Sequence, residues 1–251
     1  MINGLNERQQ QILELLNAER EVKITELKEL FAVTEMTLRR DLEKLESAGN
    51  IRRTFGGAIL MGRDIALQDR YSLMSEEKMK IGKKAAGLIQ PGDSVFIDAG
   101  TTTLQVARYL PPGMNIKVVT NAVNIAAELM GKQIQTLVTG GMLIDTTAAL
   151  VGPITERTIS GMAFDRIFLG ATGVNIKHGF SNSNLYEAEI KKVAISQAEE
   201  VNIVMDHSKF GAKELFSFAP LSKVHRIVTD QLPADELLSA SEESGIELCT
   251  Q

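Results

Sequence analysis

The chain has 251 residues, of which 44% are hydrophobic and 24% charged, a composition typical of globular proteins. Its formal net charge of −5 argues against non-specific coating of nucleic acid, and its single cysteine excludes a disulfide framework or a zinc-cysteine site. No run approaches the roughly 18 apolar residues that span a bilayer, and no basic segment precedes an apolar core at the start. We therefore expect no secretory signal, no membrane partner, no metal and a cytoplasmic location.

Residues 1–60 predict three short helices followed by a hairpin. Apolar residues recur at helical spacing between Leu5 and Leu16, and residues 21–24 are short and extended. Thr25 is a suitable N-cap for a second helix. The predicted inward stripe of that helix comprises Leu27, Leu30 and Phe31.

The third helix is predicted to begin after the N-cap Thr34 and to run to about Ala48, where Gly49 ends it. Residues 50–59 then indicate two short strands around a turn. This order, two helices, a tight turn, a third helix and a hairpin, is that of a winged helix-turn-helix. It predicts a DNA-binding domain over residues 1–60.

One face of the third helix suits DNA. Three leucines, at positions 38, 42 and 45, cluster on the core side, and Arg40 lies opposite, where its planar fork matches the guanine O6 and N7 acceptors. Arg39 and Thr37 flank this face and suit phosphates, and Glu43 is spaced to hold a guanidinium. The candidate DNA-binding residues are Thr34, Met36, Thr37, Arg39, Arg40, Lys44, Arg52, Arg53, Gly56 and Gly57.

An isolated pair of arginines on a helix more often lies on a solvent-exposed face with no role in DNA binding. Here the glycine-terminated helix and the Arg52-Arg53 hairpin favour DNA binding, because Gly56 and Gly57 allow a tight turn close to phosphates.

Residues 61–78 are polar, lack a clean period and predict a linker that enters a helix at about Ser75. From residue 79 to 251, short apolar runs alternate with helical stretches, the pattern of a mostly parallel α/β domain, Rossmann-like in class. The predicted strands are Ser94–Asp98, Lys117–Thr120, Thr136–Thr139, Arg166–Leu169, Val201–Met205 and Arg226–Thr229.

Five of these runs end in residues suited to a small polar ligand, and ligands of open α/β sheets bind beyond the carboxyl ends of the strands. Gly100 to Thr103 open a helix whose N–H groups and hydroxyls suit a phosphate, with plain threonine capping as the alternative. Lys209 would complete an anion site, although alone it is a surface lysine. His207 is interpreted as structural or adjacent to the ligand, not catalytic.

For three charged residues of a later predicted helix, a structural role is the alternative to ligand binding. Asn184 to Glu187 resemble a capping box, so Glu187 has a capping role as its alternative. Glu189 and Lys192 lie one turn apart, and their alternative is an exposed ion pair.

The run from Val33 to Gly49, followed by Arg53-Thr54-Phe55-Gly56-Gly57-Ala58, resembles the N-terminal signature of DeoR-type bacterial transcriptional repressors. One departure is Phe55, where many members have histidine, so this chain has no polar side chain at that position of the wing. Asp98 to Thr103, Thr120-Asn121, Gly140-Gly141 and Asp206 to Gly211 extend the resemblance to the effector domain of that family, which is similar in fold to ribose-5-phosphate isomerase.

The resemblance implies a repressor that a phosphorylated sugar or related catabolite releases from operator DNA. A homo-oligomer, dimer or tetramer, is expected because one winged module makes few base contacts. The candidate ligand-binding residues are Asp98, Gly100, Thr101, Thr102, Thr103, Asn121, Gly140, Gly141, Thr172, Glu187, Glu189, Lys192 and Lys209.

An alternative is an active sugar-phosphate isomerase that carries a DNA-binding arm. The isomerases of this fold resemble Gly-Ala-Asp-Glu where this chain has Gly170-Ala171-Thr172-Gly173, so both acids are absent, although Glu189 remains a possible base. The sequence contains neither GxGxxG nor a Walker A run and predicts no nucleotide cofactor. These features favour a regulator without catalytic residues.

Overall fold

A computed structural model describes residues 5–19, 21–47, 51–54, 56–60 and 74–250. The chain divides into two compact units, Met1–Leu73 and Met74–Gln251. Most of the predicted linker, residues 61–73, lies outside the described residues, and the helix predicted near Ser75 begins at Ser75. Among the described helices, none is both long and apolar enough to cross a bilayer.

The first unit has the predicted order of helices and strands. Its elements are α1 (Glu7–Glu19), β1 (Glu21–Lys23), α2 (Ile24–Phe31), α3 (Glu35–Ser47), β2 (Ile51–Arg53) and β3 (Gly57–Leu60). β3 pairs antiparallel with β2 on one side and with β1 on the other. This is a winged helix-turn-helix, as the sequence predicts.

The start of α2 differs from its prediction. The helix begins at Ile24 with Lys23 at the N-cap, not Thr25, because pairing with β3 carries the chain straight from strand into helix, where Ile24 N donates to Gly56 O at 2.9 Å. Ile24 and Leu27 are buried and define the inward stripe. Adding Ile24 rotates that stripe, so Leu30 lies on its flank and is 61% exposed, which contradicts its predicted core position.

The second unit is built on a parallel sheet of seven strands. Its strands are β4 (Ser94–Ile97), β5 (Lys117–Thr120), β6 (Gln135–Val138), β9 (Phe164–Leu169), β12 (Ala198–Val204), β14 (Arg226–Val228) and β15 (Glu247–Cys249). The helices around them are α4 (Ser75–Ala86), α5 (Thr101–Tyr109), α6 (Val123–Leu129), α7 (Pro153–Ser160), α8 (Leu185–Ser196) and α9 (Asp235–Glu243). All six predicted strands are present, and each end lies within three residues of its prediction.

The central strands carry apolar residues on both faces because helices cover the sheet from both sides. Val95, Phe96 and Ile97 follow one another along β4 and therefore point to alternate faces, and each is fully buried. Two smaller antiparallel sheets were not predicted: a hairpin of β7 (Met142–Ile144) and β8 (Ala149–Val151), and a sheet of β10 (Gly173–Asn175), β11 (Gly179–Asn182) and β13 (Phe216–Ala219). Their strands have only three or four residues, too few to show a period.

Along the large sheet the order is β15-β14-β12-β9-β4-β5-β6. The chain winds outward from β4 to β6, then crosses back and winds outward in the other direction from β9. In a doubly wound sheet, ligands bind where the winding direction reverses. The carboxyl ends of β4 and β9 therefore define the position in this unit that the topology favours for a ligand.

Candidate DNA interface and effector site

The outer face of α3 is separated from its buried face as the sequence predicts. Leu38, Leu42 and Leu45 are each no more than 1% exposed and pack into the core of the first unit. Met36 is 66% exposed, and Arg40 is exposed as well. The helix thus exposes the face that carries Arg40, opposite its buried leucines.

Arg39 is held by a carboxylate on its own helix. Its Nε and Nη2 donate to Glu35 Oε1 at 2.9 and 2.7 Å. Glu35 precedes Arg39 by four residues, which is the better-oriented spacing for a glutamate and a cation, and the role of Glu43 in holding a guanidinium stays a prediction. The pair is exposed, so Arg39 would lose only a weak surface ion pair with Glu35 if it bound a phosphate.

Arg53 connects the wing to the recognition helix. Its backbone N donates to Glu46 Oε1 at 2.9 Å, and its Nε donates to Glu46 Oε2 at 2.6 Å. The hydrogen bond that Arg53 donates to Glu46, with the charges of Glu46 and Glu43, outweighs desolvation and raises the pKa of Arg53 above its ordinary value. The wing strand β2 is therefore oriented by α3, on which Glu46 lies.

The two wing glycines have different roles. Gly56 is exposed, and open space surrounds the position of a Cβ there. Gly57 is buried, and a Cβ there would lie 1.9 Å from Val22 O, because Gly57 pairs opposite Lys23 in the sheet. Gly57 therefore permits β3 to approach β1, and of the two glycines only Gly56 is exposed.

Thr34 has the position predicted for it at the start of α3. Thr37 N donates to Thr34 Oγ1 at 3.4 Å, and the two hydroxyls lie 2.9 Å apart. Lys44 is exposed. The side chain of Arg52 and the whole of Phe55 lie outside the described residues.

Sequence reasoning missed one anchoring residue of this helix. Asp41 is 4% exposed and accepts hydrogen bonds from Arg8 Nε and Gln9 Nε2, each at 2.7 Å. These bonds join α1 to α3 and fix the direction in which Arg40 projects. The signal was present, since position 41 falls within the leucine stripe at 38, 42 and 45.

In the second unit, parallel strands bring the predicted polar residues to one edge of the sheet. Asp98 follows β4, Asn121 follows β5, Gly140 lies just beyond β6, and Asp206 lies just beyond β12. Since the strands are parallel, all these carboxyl ends share that edge. The residues at this edge differ in how many of their polar atoms already form hydrogen bonds within the chain.

Asp98 forms a buried ion pair with Lys191, a residue that the sequence analysis did not select. Lys191 Nζ donates to Asp98 Oδ2 at 2.6 Å and to Gly170 O at 2.7 Å, and it lies 5.3 Å from the centre of the Phe218 ring. Both charged residues are 2% exposed. The ammonium group thus bridges the ends of β4 and β9 at the reversal of the winding, and Asp98 supports this bridge.

Helix α5 begins directly beyond β4. Its N-cap is Gly100, no side chain caps it, and its first three residues, Thr101, Thr102 and Thr103, are buried. Thr103 Oγ1 has no hydrogen-bond partner among the described residues. A Cβ at Gly100 would lie 2.9 Å from this oxygen, so glycine keeps the helix N-terminus open. The first N–H groups of a helix lack internal acceptors and attract anions.

Three predicted ligand positions have bonds or close contacts within the chain. Asn121 accepts from Ala99 N at 3.2 Å and donates to Leu150 O at 3.3 Å. Gly141 has φ of +126°, and a Cβ there would lie 2.1 Å from Thr155 Oγ1, so it permits a close turn. Gly140 O accepts from the same hydroxyl at 2.7 Å.

Thr172 is likewise engaged, as its Oγ1 donates to Ser181 O at 2.9 Å. These positions shape the edge of the sheet, and their polar atoms already serve the fold.

Lys209 ends a short 3-10 turn after β12, beside a buried carboxylate. Its Nζ lies 3.0 Å from Ser208 Oγ and 3.9 Å from Asp206 Oδ1. Burial opposes ionisation of Asp206, but the charges of Lys209 and Lys78 and the hydrogen bonds from Ser208 outweigh it, so the pKa of Asp206 is lowered. Lys78, which the prediction assigned to the linker, is a buried residue of α4.

His207 is fixed by a neighbouring carboxylate. Its Nδ1 lies 2.5 Å from Asp230 Oδ2, and its backbone N donates to Asp230 Oδ1 at 2.8 Å. These contacts hold the 3-10 turn that carries Lys209 and give His207 a structural role.

Glu189 and Lys192 form the ion pair that was the alternative to ligand binding. Their charged atoms lie 2.8 Å apart, and both side chains are more than 40% exposed. Glu187, in contrast, faces inward: its Oε2 accepts from Asn182 Nδ2 at 2.9 Å. Asn184 alone caps the helix, accepting from Tyr186 N and Glu187 N, so Glu187 does not close a capping box.

Comparison with known proteins places both units in one family. Residues 8–63 match the DeoR-like helix-turn-helix domain, and residues 73–231 match the DeoR C terminal sensor domain. The chain belongs to the DeoR family. It is 30% identical over 98% of its length to the "Putative aga operon transcriptional repressor" of Escherichia coli O157:H7, of which 94% is covered.

A second relative is the "Glycerol-3-phosphate regulon repressor" of Escherichia coli K12, which is 32% identical over 94% of this chain and 95% of that protein. Among solved structures, ribose 5-phosphate isomerase A of Methanocaldococcus jannaschii matches 55% of each chain with 16% identity and a TM-score of 0.41. The relatives are named as regulators and not as enzymes, so this DeoR-family chain is a DNA-binding transcriptional regulator. The prediction that it is not an enzyme is confirmed.

Proposed function

We propose that this chain is the repressor of a carbohydrate-catabolism operon and that a phosphorylated sugar or related catabolite releases it from its operator. The observation that carries the proposal is the N-terminus of α5, uncapped by any side chain, at the reversal of the winding, where Thr103 Oγ1 is buried and unpartnered among the described residues. An anion there gains N–H and hydroxyl donors and a favourable helix dipole.

Lys209 supplies a cation from the same edge of the sheet. β12 is separated from β4 only by β9, so their carboxyl ends lie about 10 Å apart at the usual strand spacing. A ligand that reaches from one end to the other therefore meets α5 and the Lys209 turn together. The two relatives described above are named as repressors of an aga operon and a glycerol-3-phosphate regulon, which is consistent with this assignment.

The test is binding of the full-length protein to the DNA upstream of its own gene and of the adjacent operons, followed by fluorescence anisotropy. Ribose 5-phosphate, glucose 6-phosphate, fructose 6-phosphate and glycerol 3-phosphate are then titrated against the complex, with inorganic phosphate and the free sugars as controls. Release by at least one organic phosphate, but not by its free sugar, supports the proposal. Release by free sugars alone contradicts it.

Arg40→Ala is expected to weaken binding to the specific operator by about 1–3 kcal/mol and to affect random DNA much less, because Arg40 is assigned to a base edge. Anisotropy titrations with both DNAs measure the two losses. Arg39→Ala is the matched comparison, since a phosphate contact weakens binding to both DNAs by similar amounts. Equal losses on both DNAs for Arg40→Ala would reassign it to a phosphate.

We infer that the protein binds DNA as a homo-oligomer. One α3 offers too few base contacts for specific binding, and two-fold related helices would read half-sites separated by one helical turn or a multiple of it. Light scattering with and without operator DNA is expected to give at least twice the mass of one chain. A monomeric mass under both conditions would contradict the inference.

A further inference from the structure

We propose that Asn182 and Glu187 form a second part of the effector site, one that recognises hydroxyl groups of the ligand by accepting hydrogen bonds from them. The inference deepens the proposed function and rests on it. It assigns the phosphate and the hydroxyl-bearing carbons of one ligand to different residues.

The observation is a pair of buried acceptors without donors. Asn182 Nδ2 donates to Glu187 Oε2 at 2.9 Å, which leaves Asn182 Oδ1 and Glu187 Oε1. Neither of these oxygens reaches solvent, and neither has a hydrogen-bond partner among the described residues. Asn182 is only 4% exposed. Buried polar atoms are nearly always paired, so two unpaired oxygens on bonded neighbours call for an explanation.

The pair lies beside the favoured ligand position at the end of β9. Asn182 follows Ser181, whose carbonyl accepts from Thr172 N at 3.1 Å, and Thr172 lies two residues beyond Gly170. On α8, Glu187 is one turn before Lys191, so their side chains project from the same face. Lys191 in turn bonds Gly170 O and Asp98. These contacts connect Asn182 and Glu187 to Lys191 and Gly170, so the pair lies next to the carboxyl end of β9.

The chemistry of the pair selects the group that it binds. A carboxylate oxygen and an amide oxygen only accept hydrogen bonds, so the complementary group must donate. A phosphate of the ligand is disfavoured because it is anionic and repelled by Glu187. Sugar hydroxyls donate readily and carry no charge. The phosphate end is thus assigned to α5 and Lys209, and the hydroxyl end to Asn182 and Glu187.

The unpaired oxygens also explain how such a site discriminates. A site built to hydrogen-bond a hydroxyl rejects the analogue without it, because the site's own polar atoms are then left unpaired. We expect wild-type protein to respond at least about tenfold more weakly to one deoxy analogue of its effector than to the parent compound.

The experiment uses the full-length Glu187→Gln protein, operator DNA, and the sugar phosphates named above with their available deoxy analogues, such as 2-deoxyribose 5-phosphate and 2-deoxyglucose 6-phosphate. Glutamine keeps the shape of the side chain but replaces one acceptor by a donor. We expect the parent sugar phosphate to act at least about tenfold more weakly, and the difference between parent and deoxy compounds to shrink. Asn182→Ala is expected to lose the same discrimination.

The matched control is Glu236→Gln, which removes the same charge from an exposed residue in the first turn of α9. Its response to every compound should equal that of wild type. The melting temperature of each ligand-free variant is measured as well. Glu187→Gln should melt no lower than wild type, because it replaces an unpaired buried carboxylate oxygen by an uncharged amide group of the same shape, whereas a clear decrease would make the pair a structural element and overturn the proposal.

Calorimetric titration of the same compounds separates the two proposals. A sugar phosphate that binds without releasing DNA contradicts the proposed function, and its deoxy analogues and Glu187→Gln still decide the hydroxyl site. Unchanged binding of parent and deoxy compounds by Glu187→Gln overturns the hydroxyl site alone. Failure of every sugar phosphate to bind wild type contradicts both.

Discussion

Lys191→Met is expected to lower the free energy of unfolding of the second unit by about 3–5 kcal/mol, because it leaves a buried carboxylate without its partner. Asp98 is 2% exposed, and Lys191 is the cation that lies 2.6 Å from its Oδ2. Methionine fills the space of the lysine stem but supplies no charge and no donor, so Gly170 O also loses its hydrogen bond. Urea unfolding followed by circular dichroism measures the loss.

Two further variants distinguish this effect from a loss of packing. Lys192→Met changes the next residue of the same helix, which is exposed, and should shift stability by no more than about 0.5 kcal/mol. The double variant Asp98→Asn/Lys191→Met removes both charges and should recover most of the loss, since the cost lies in the unpaired charge. A loss below about 1 kcal/mol for Lys191→Met would show that solvent reaches Asp98.

Periodicity predicted the features of this chain that depend on neighbours within one helix or strand. The leucine stripe of α3 follows from spacing alone, and so does the exposure of Arg40 on the opposite side. The six predicted strands of the large sheet were found for a similar reason, because each is a short apolar run bounded by polar residues. Local hydrophobic patterns are sufficient where burial decides the structure.

The Asp98–Lys191 pair could not be found in this way, because its residues are 93 positions apart in the chain. The position of Asp98 after a strand is typical of a ligand-binding residue. On α8, the sequence predicts Lys192 as a ligand residue, whereas the lysine that faces inward is its neighbour Lys191. The buried residues of α8 include Lys191 beside Ala188 and Ala194. A lysine among small apolar residues gives no clear sign of which helix face is buried.

The start of α2 and the role of Gly57 share another cause. Both depend on the pairing of β1 with β3, in which Lys23 lies opposite Gly57. The strand β1 has three residues and no recognisable pattern, so its pairing emerges only once the hairpin is placed beside it. Long-range pairing therefore overrode the local capping preference of Thr25.

Lys209→Ala is expected to retain operator binding but to require about 10–150-fold more effector for release, the behaviour of a super-repressor, because a hydrogen bond to a charged group contributes about 1.5–3 kcal/mol. A ligand shifts the protein between its DNA-bound and DNA-free states only through a difference in affinity, and allosteric couplings are typically about 1–3 kcal/mol, or about 5–150-fold. Lys209 is partly exposed at the end of its 3-10 turn, and Asp206 keeps the hydrogen bonds from Ser208 and the charge of Lys78 without it, so we expect the fold to survive its removal. Thr102→Ala should have a smaller effect, because charge-assisted hydrogen bonds to phosphate are stronger than neutral ones.

The matched control is Lys223→Ala, since Lys223 also ends a 3-10 turn of the second unit and is exposed. It should release operator DNA at the wild-type effector concentration. The measurement is anisotropy of labelled operator DNA titrated with each sugar phosphate and its free sugar for wild type and the three variants. If Lys209→Ala releases DNA as readily as Lys223→Ala with every active compound, the phosphate does not bind at Lys209, and the carboxyl end of β12 must be removed from the effector site.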